Sequence, residues 1–306
     1  MPIITISRGS CSGGAQLAEV LQQRLGWRLL GQDEVSTEAA KAYRLTDTKL
    51  SQELYLPANF FERFTHRKTR YLLATQATVT ELLADGNGIY HGLAGQFLFA
   101  DLCNVFKVRI VAPMASRVEL AMERFGLSHE EARQYIDEAD EYRLKWGRQI
   151  FRADVADADL YDLVVNLEHL SLDHAAAMIA EIILGDDYKP TPECVQEYRD
   201  FALERRISAE LFFNSPFTPE IAHVSVRKGE VHLTGGRAFE EARSQLIEFA
   251  GQIRGVRAIH TDHEVVDTID ATFDSDAGIV SADARASDVM LPLDQYPNCR
   301  GNCTIR

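Results

Sequence analysis

The sequence predicts an α/β protein: a parallel sheet with helices on both faces, then a smaller α/β unit and a poorly ordered tail. Three observations carry that expectation. The chain opens on an apolar run, Pro2 to Ile6, followed by a glycine- and serine-rich loop and a helix with Leu17, Val20, Leu21 and Leu25 on one face. Apolar runs then alternate with segments of helical period as far as Leu184, and strands separated by helices belong in a parallel sheet. After Gly185 the pattern changes to hairpin, helix and strand.

Beyond the first helix, Trp27 to Leu30 is a short apolar segment that leads through Gly31-Gln32-Asp33-Glu34 into a helical stretch ending near Arg44. Residues 63–84 form a long amphipathic helix, with Phe64, Tyr71, Thr75, Val79 and Leu82 at helical spacing, and Gly86-Asn87-Gly88 ends it. Ile89 to His91 and the strongly β-branched Val105 to Val111 read as buried strands, with a short helix around Ala94 to Ala100 between them. Residues 114–125 and 128–147 are helical, the second opened by the capping box Ser128-His129-Glu130-Glu131. Tyr161 to Val165 is another buried strand, and 171–184 is a helix with Leu172, Ala176, Ile179 and Ile183 along one face.

These elements make a first domain over 1–184. The polar, proline-bearing segment 185–192 is its linker. Residues 193–267 form a second unit: a helix from Glu193 to Ala209, a hairpin of Ala222 to Val226 and Val231 to Leu233 about Lys228-Gly229, a helix from Phe239 to Ile253 and a strand from Arg257 to Val265. The stretch 268–306 is rich in Asp, Ala and Ser without periodicity and reads as the tail.

Composition narrows the function. A formal charge of −14 over 306 residues disfavours nucleic acid and anionic membrane surfaces, which attract Lys and Arg. No apolar stretch reaches the length of a membrane span, and no basic-then-apolar signal pattern opens the chain, so a cytoplasmic protein is expected. The five cysteines, Cys11, Cys103, Cys194, Cys299 and Cys303, are odd in number and scattered, which does not predict a disulfide framework. Cys299-x-x-x-Cys303 lacks partner ligands, and His260-x-x-His263 on a strand would point to opposite faces, so no metal site is expected.

The first loop is the candidate site. Gly9 and Gly14 occupy the glycine places of G-x-x-x-x-G-K-[ST], but the next two places hold Ala15 and Gln16. A cradle of backbone N–H groups survives that change. The ammonium that bridges β- and γ-phosphates and the hydroxyl that binds Mg²⁺ do not. The candidate nucleotide-binding residues are therefore Arg8, Gly9, Ser10, Cys11, Ser12, Gly13, Gly14 and Ala15, with a glycine-rich strand-to-helix turn as the alternative reading. Cys11 is either a reactive thiol at a helix N-terminus or a small side chain the loop accommodates.

Residues 1 to about 184 resemble the cytidylate kinase-like family of P-loop nucleoside monophosphate kinases. The resemblance rests on Ile4-Thr5-Ile6-Ser7-Arg8 with Ser12-Gly13-Gly14, on Ile110-Val111-Ala112-Pro113 followed by Arg117, on Ile136 to Trp146 with Asp154, and on Tyr161 to Asn166. It implies ATP or another nucleotide as ligand, with Mg²⁺ as an optional companion, and a lid whose arginines clamp the phosphates. Arg143 and Arg148 match such positions and Arg152 lies close by; a solvated helix face is the alternative, since Glu138, Glu141 and Lys145 surround them. Asp33 stands where the family has an acidic residue near the acceptor, and a helix N-cap accounts for it equally. Two departures matter. A basic residue is usual where Ala15 stands, and Leu93 in His91-Gly92-Leu93-Ala94-Gly95 replaces an expected acceptor-site arginine. Losing both cations removes stabilisation on both sides of the transfer.

Residues 193–267 resemble a BON domain, a small binding module, through Val224-x-Val226, Gly229, Val231-x-Leu233-Thr234-Gly235, Ala242-Arg243, Ala250 and Gly255-Val256. Leu211-Phe212-Phe213-Asn214-Ser215-Pro216-Phe217 reads as an irregular loop whose phenylalanines, Phe212 and Phe217 above all, are a candidate contact for a protein partner or a second copy of the chain. Closure of the small core or of the seam between the domains accounts for these rings as well. The expected function is a degenerate kinase, or pseudokinase, that binds nucleotide and serves a regulatory or scaffolding role through the BON unit. An active CMP or dCMP kinase that recruits other cations, Arg8 or Arg70 for instance, and a structural assembly protein without a ligand are the alternatives.

Overall fold

The computed structural model describes residues 2–44, 61–84, 86–99, 102–217 and 221–263, leaving out the side chains of 61–71, 149, 150, 262 and 263. The expected tail 268–306 with Cys299 and Cys303, the end of the last strand beyond 263, and the side chains of Phe64, Arg70 and Tyr71 lie outside the described residues.

The chain runs β1 (Ile3–Arg8), α1 (Gly14–Leu25), β2 (Arg28–Gly31), α2 (Gln32–Ala42), α3 (Phe61–Leu82), β3 (Gly88–His91), a single-turn α4 (Gly95–Leu98), β4 (Val105–Val111), α5 (Met114–Phe125), α6 (His129–Phe151), β5 (Leu163–Asn166) and α7 (Leu172–Leu184). The five strands pair in parallel in the order β2-β3-β1-β4-β5. Strand order reverses at β1, whose neighbours are β3 and β4. A crevice beyond the carboxyl ends of the strands opens at such a switch point, and the Gly9–Gly14 loop begins there.

Period-two alternation explains why β1 is buried on both faces from Ile3 to Ile6. Ile3 joins a core with Val35, Ala39, Ala74 and Ala77 from α2 and α3, whereas Ile4 and Ile6 join one with Leu17 and Leu21 of α1 and Ile179 and Ile183 of α7. Both faces of the sheet are therefore covered. The expected linker also packs: a short 3-10 turn at Asp186–Tyr188 sets the Tyr188 ring 5.0 Å from that of Phe106.

Residues beyond 191 form α8 (Pro192–Phe213), β6 (His223–Arg227), β7 (Glu230–Gly235), α9 (Arg237–Gly251) and β8 (Ala258–His263). β6 and β7 are an antiparallel hairpin and β8 adds in parallel to β7. Lys228 (φ 53°) and Gly229 (φ 78°) both take left-handed backbone at the hairpin turn, and Asp200 of α8 accepts both of their amide N–H groups at 2.6 and 2.8 Å. Leu203, Ile207 and Leu211 of α8 close the small core with Val224, Val231, Leu233, Phe239 and Leu246.

Two expectations need correction. Leu211, Phe212 and Phe213 are not in a loop: α8 runs on to Phe213, where the Phe213 ring lies 4.8 Å from Tyr43 and 4.9 Å from Phe212. Phe217 follows the helix and sits 6.5 Å from Phe249 in the small core; it and Phe212 are half-buried. The cysteines are not all unpaired either. Cys103, in the turn before β4, and Cys194, in the first turn of α8, form a disulfide with a Cα–Cα distance of 6.0 Å, because the fold brings together positions separated by 91 in sequence.

Candidate functional site

The loop between β1 and α1 is built so that its backbone faces the crevice. Gly13 takes φ 86°, and a Cβ there would stand 2.9 Å from the Leu167 side chain; at Gly14 one would stand 2.8 Å from Arg8. Ser12 Oγ donates to the carbonyls of Gly9 (3.0 Å) and Ile110 (3.2 Å), tying the loop to the end of β4. No side chain caps the N-terminus of α1 at Gly13, so its first amide groups and the helix dipole are left for an anion. Ala15 and Gln16 stand in the first turn of α1 where the loop motif has its lysine and hydroxyl.

Helices α5 and α6 deliver charge to this loop. The Ser10 N–H donates to Asp140 Oδ1 at 2.8 Å. Arg117 of α5 donates through Nε to the Ser10 carbonyl at 2.7 Å and forms an ion pair with Asp140 Oδ2. Arg143, one turn beyond Asp140 on α6, reaches Ser10 Oγ and lies 3.2 Å from Asp140 Oδ1. Burial alone would raise the Asp140 carboxyl, but the Ser10 N–H and Arg117 outweigh it and hold the group below the usual carboxylate range.

Burial, then the charges of Arg143 and Arg124, lowers the Arg8 guanidinium to about 10. Burial and then Arg8, Arg143 and Arg124 push His91, at the carboxyl end of β3, down to about 3, so its ring is neutral and its Nε2 has no hydrogen-bond partner among the described residues. Burial raises the Cys11 thiol despite four surrounding arginines, the opposite of an activated thiolate. Burial is the larger cause at both groups, and the positive charge of the neighbouring arginines adds to it.

The expected residues fall into three groups. Arg8, Gly9, Ser10, Cys11, Ser12, Gly13, Gly14, Ala15 and Arg143 come together around the loop. Arg148 pairs instead with Asp154 at 2.9 Å on the exposed surface, and Arg152 ends α6 in left-handed backbone (φ 53°) with its side chain exposed. Asp33 is exposed in the first turn of α2, where Gly31 and not Asp33 is the N-cap; it makes no hydrogen bond or ion pair among the described residues. Leu93 packs against the core, its backbone N–H bonded to Gln32 Oε1 at 2.8 Å, so no cation stands there. Arg117, Arg124 and Asp140 were not among the expected site residues; Arg117 and Asp140 lay inside the stretches that carried the resemblance, but only tertiary contact reveals their role.

A parallel sheet in this strand order, with a glycine-rich loop after its central strand and arginines converging on that loop, defines a P-loop kinase-type domain. The family model described as the cytidylate kinase-like family matches residues 3–169, and the chain belongs to that family. It is similar to curated proteins named cytidylate kinase from Ignicoccus hospitalis (25% identical over 184 residues, 60% of this chain and 100% of the relative) and from Methanopyrus kandleri (25% over 190 residues, 59% and 92%). Among solved structures, an uncharacterized protein from Eubacterium ventriosum aligns with a TM-score of 0.48 at 18% identity, covering 60% of this chain and 97% of that one. Shikimate kinase from Acinetobacter baumannii in complex with shikimate aligns with a TM-score of 0.35 at 15% identity, covering 60% and 93%. Among the described residues no helix is long and apolar enough to cross a membrane.

Proposed function

We propose that the chain binds a nucleotide with its phosphates at the Gly9–Gly14 amides, and that it transfers phosphate feebly if at all. The observation that carries this reading is the Asp140 carboxylate, an anion held on the Ser10 N–H between Arg117 and Arg143. A phosphate oxygen asks for the same donors. Feeble transfer follows from Ala15, Gln16 and Leu93, since a cation or oxyanion donor aimed at the transferring group commonly contributes about two or more orders of magnitude in rate. Under this reading the BON-like unit over 193–267 is the regulatory part and engages a protein or a second copy of the chain through the Phe212 and Phe217 region.

A second reading, an active CMP or dCMP kinase, draws on Arg8, Arg117, Arg124 and Arg143 as substitute cations. Calorimetric titration with ATP, ADP, CMP and AMP, with and without Mg²⁺, together with a turnover assay on CMP, dCMP and UMP, separates the two. The first expects binding with weak Mg²⁺ dependence and turnover near background, and Ala15→Lys with Leu93→Arg tightens binding. Turnover of roughly 1–100 per second establishes the second, and absence of any nucleotide binding overturns both.

A further inference from the structure

We infer that the outer face of the C-terminal sheet carries a site for a borderline divalent transition-metal ion such as Zn²⁺, with Glu230, His232 and His260 as its protein ligands. Residues three apart on one strand belong to opposite faces, so the His260-x-x-His263 spacing by itself gives no pair of ligands. Pairing across strands does what that spacing cannot. His232 of β7 is the register partner of His260, and Glu230 lies two residues before His232 on the same side.

The imidazole centroids of His232 and His260 lie 4.9 Å apart with planes 23° from parallel, the separation of neighbouring strands. His260 Nε2 is 3.2 Å from Glu230 Oε2, and one donor atom from each of the three residues lies within 4.8 Å of the others. Donors around a tetrahedral Zn²⁺ at about 2.0–2.2 Å stand roughly 3.3–3.6 Å apart. The His260–Glu230 pair, at 3.2 Å, is close to that spacing, and the His232 donor lies within 4.8 Å of both. Two imidazoles and one carboxylate are a donor set that suits Zn²⁺ over Mg²⁺ or Ca²⁺, which favour all-oxygen shells, and a three-ligand site leaves the fourth position to water.

The opposite face of this sheet, with Val224, Val231 and Leu233, is sealed against α8 and α9, so the ligand face is turned away from that core. Glu230 and His260 are exposed and His232 is half-buried, so the ion reaches them without unfolding. A bound ion would tie β7 to β8 and stabilise the folded state according to its occupancy. The site lies on different elements from the Gly9–Gly14 loop and does not rest on the nucleotide reading.

Zn²⁺ alone, titrated into the full chain by calorimetry and followed by thermal unfolding, tests this. The wild-type chain should take up Zn²⁺ and unfold at a higher temperature with it. His232→Ala or His260→Ala should each weaken that binding by at least the roughly tenfold that losing a mere outer-sphere partner costs, and the double variant should lose the thermal shift. His223→Ala, which removes a histidine facing Thr234 one row along the same face, should leave both readouts unchanged. No uptake by the wild-type chain, or uptake and a thermal shift that survive loss of both histidines, overturns the site.

Discussion

Asp140 offers one oxygen to the Ser10 amide and the other to Arg117, and Arg143 lies beside it. On the proposed reading this carboxylate competes with a phosphate for its donors. Asp140→Asn keeps the shape and removes the charge. It should tighten nucleotide binding by about tenfold, roughly 1.4 kcal/mol and close to the lower end of what a hydrogen bond to a charged group contributes, with the fluorescence-monitored dissociation constant as readout. Weaker binding would mean that the carboxylate serves the ligand and does not stand in for it. The loop glycines were legible in the sequence because a strand, loop and helix in that order force the backbone inward, whereas Arg143 was indicated only by the family resemblance. Asp140 and Arg117 were not legible as a pair with Ser10, which lies 130 residues from one and 107 from the other. The histidine pair His232 and His260 escaped for the same reason, since only strand register joins them.

Helix α8 shows where reading by element succeeds and fails. Its start lies close to the expected Glu193, with Pro192 as first residue and Thr191, read from the sequence as linker, as the N-cap whose Oγ1 accepts the Cys194 N–H at 3.2 Å; its end lies beyond the expected Ala209, because Leu211-Phe212-Phe213, which reads as an irregular loop, is the last turn. The reason is that α8 is apolar on two sides, so no single stripe marks it. Leu203, Ile207 and Leu211 face the small core, whereas Tyr198 and Ala209 are buried in the core under β1, with the Tyr198 hydroxyl donating to the Thr80 carbonyl at 3.0 Å. A helix shared by two cores couples them. Tyr198→Ala should cost about 3–5 kcal/mol, as other large aromatic truncations do, and hydrogen exchange should then accelerate in β6 to β8 as well as around α3. Acceleration confined to α3 would show that the two units unfold independently.

The Gly9–Gly14 loop and the disulfide lie at opposite ends of the large sheet. All five strands of the large sheet run parallel, so the Gly9–Gly14 loop and His91 gather at their carboxyl ends. Cys103 precedes β4 and therefore lies at the amino ends, about 20 Å away along a seven-residue strand. The scattered cysteines concealed this, because pairing depends on α8 crossing back to the foot of the sheet, which no local pattern records. The Cys103–Cys194 bond, across a sequence separation of 91, closes a segment that includes β4, α5, α6, β5 and α7, and it ties the start of α8 to the sheet. Constraining so long a segment in the unfolded chain is commonly worth about 2–4 kcal/mol. Cys103→Ser should lower the denaturant midpoint accordingly, and a reductant should lower that of the wild-type chain to the same value without moving the variant. Because the bond is remote from the loop, nucleotide affinity measured well below the unfolding transition should not change. Loss of affinity on reduction, with the fold intact by circular dichroism, would instead make the foot of the sheet and the phosphate loop parts of one coupled device.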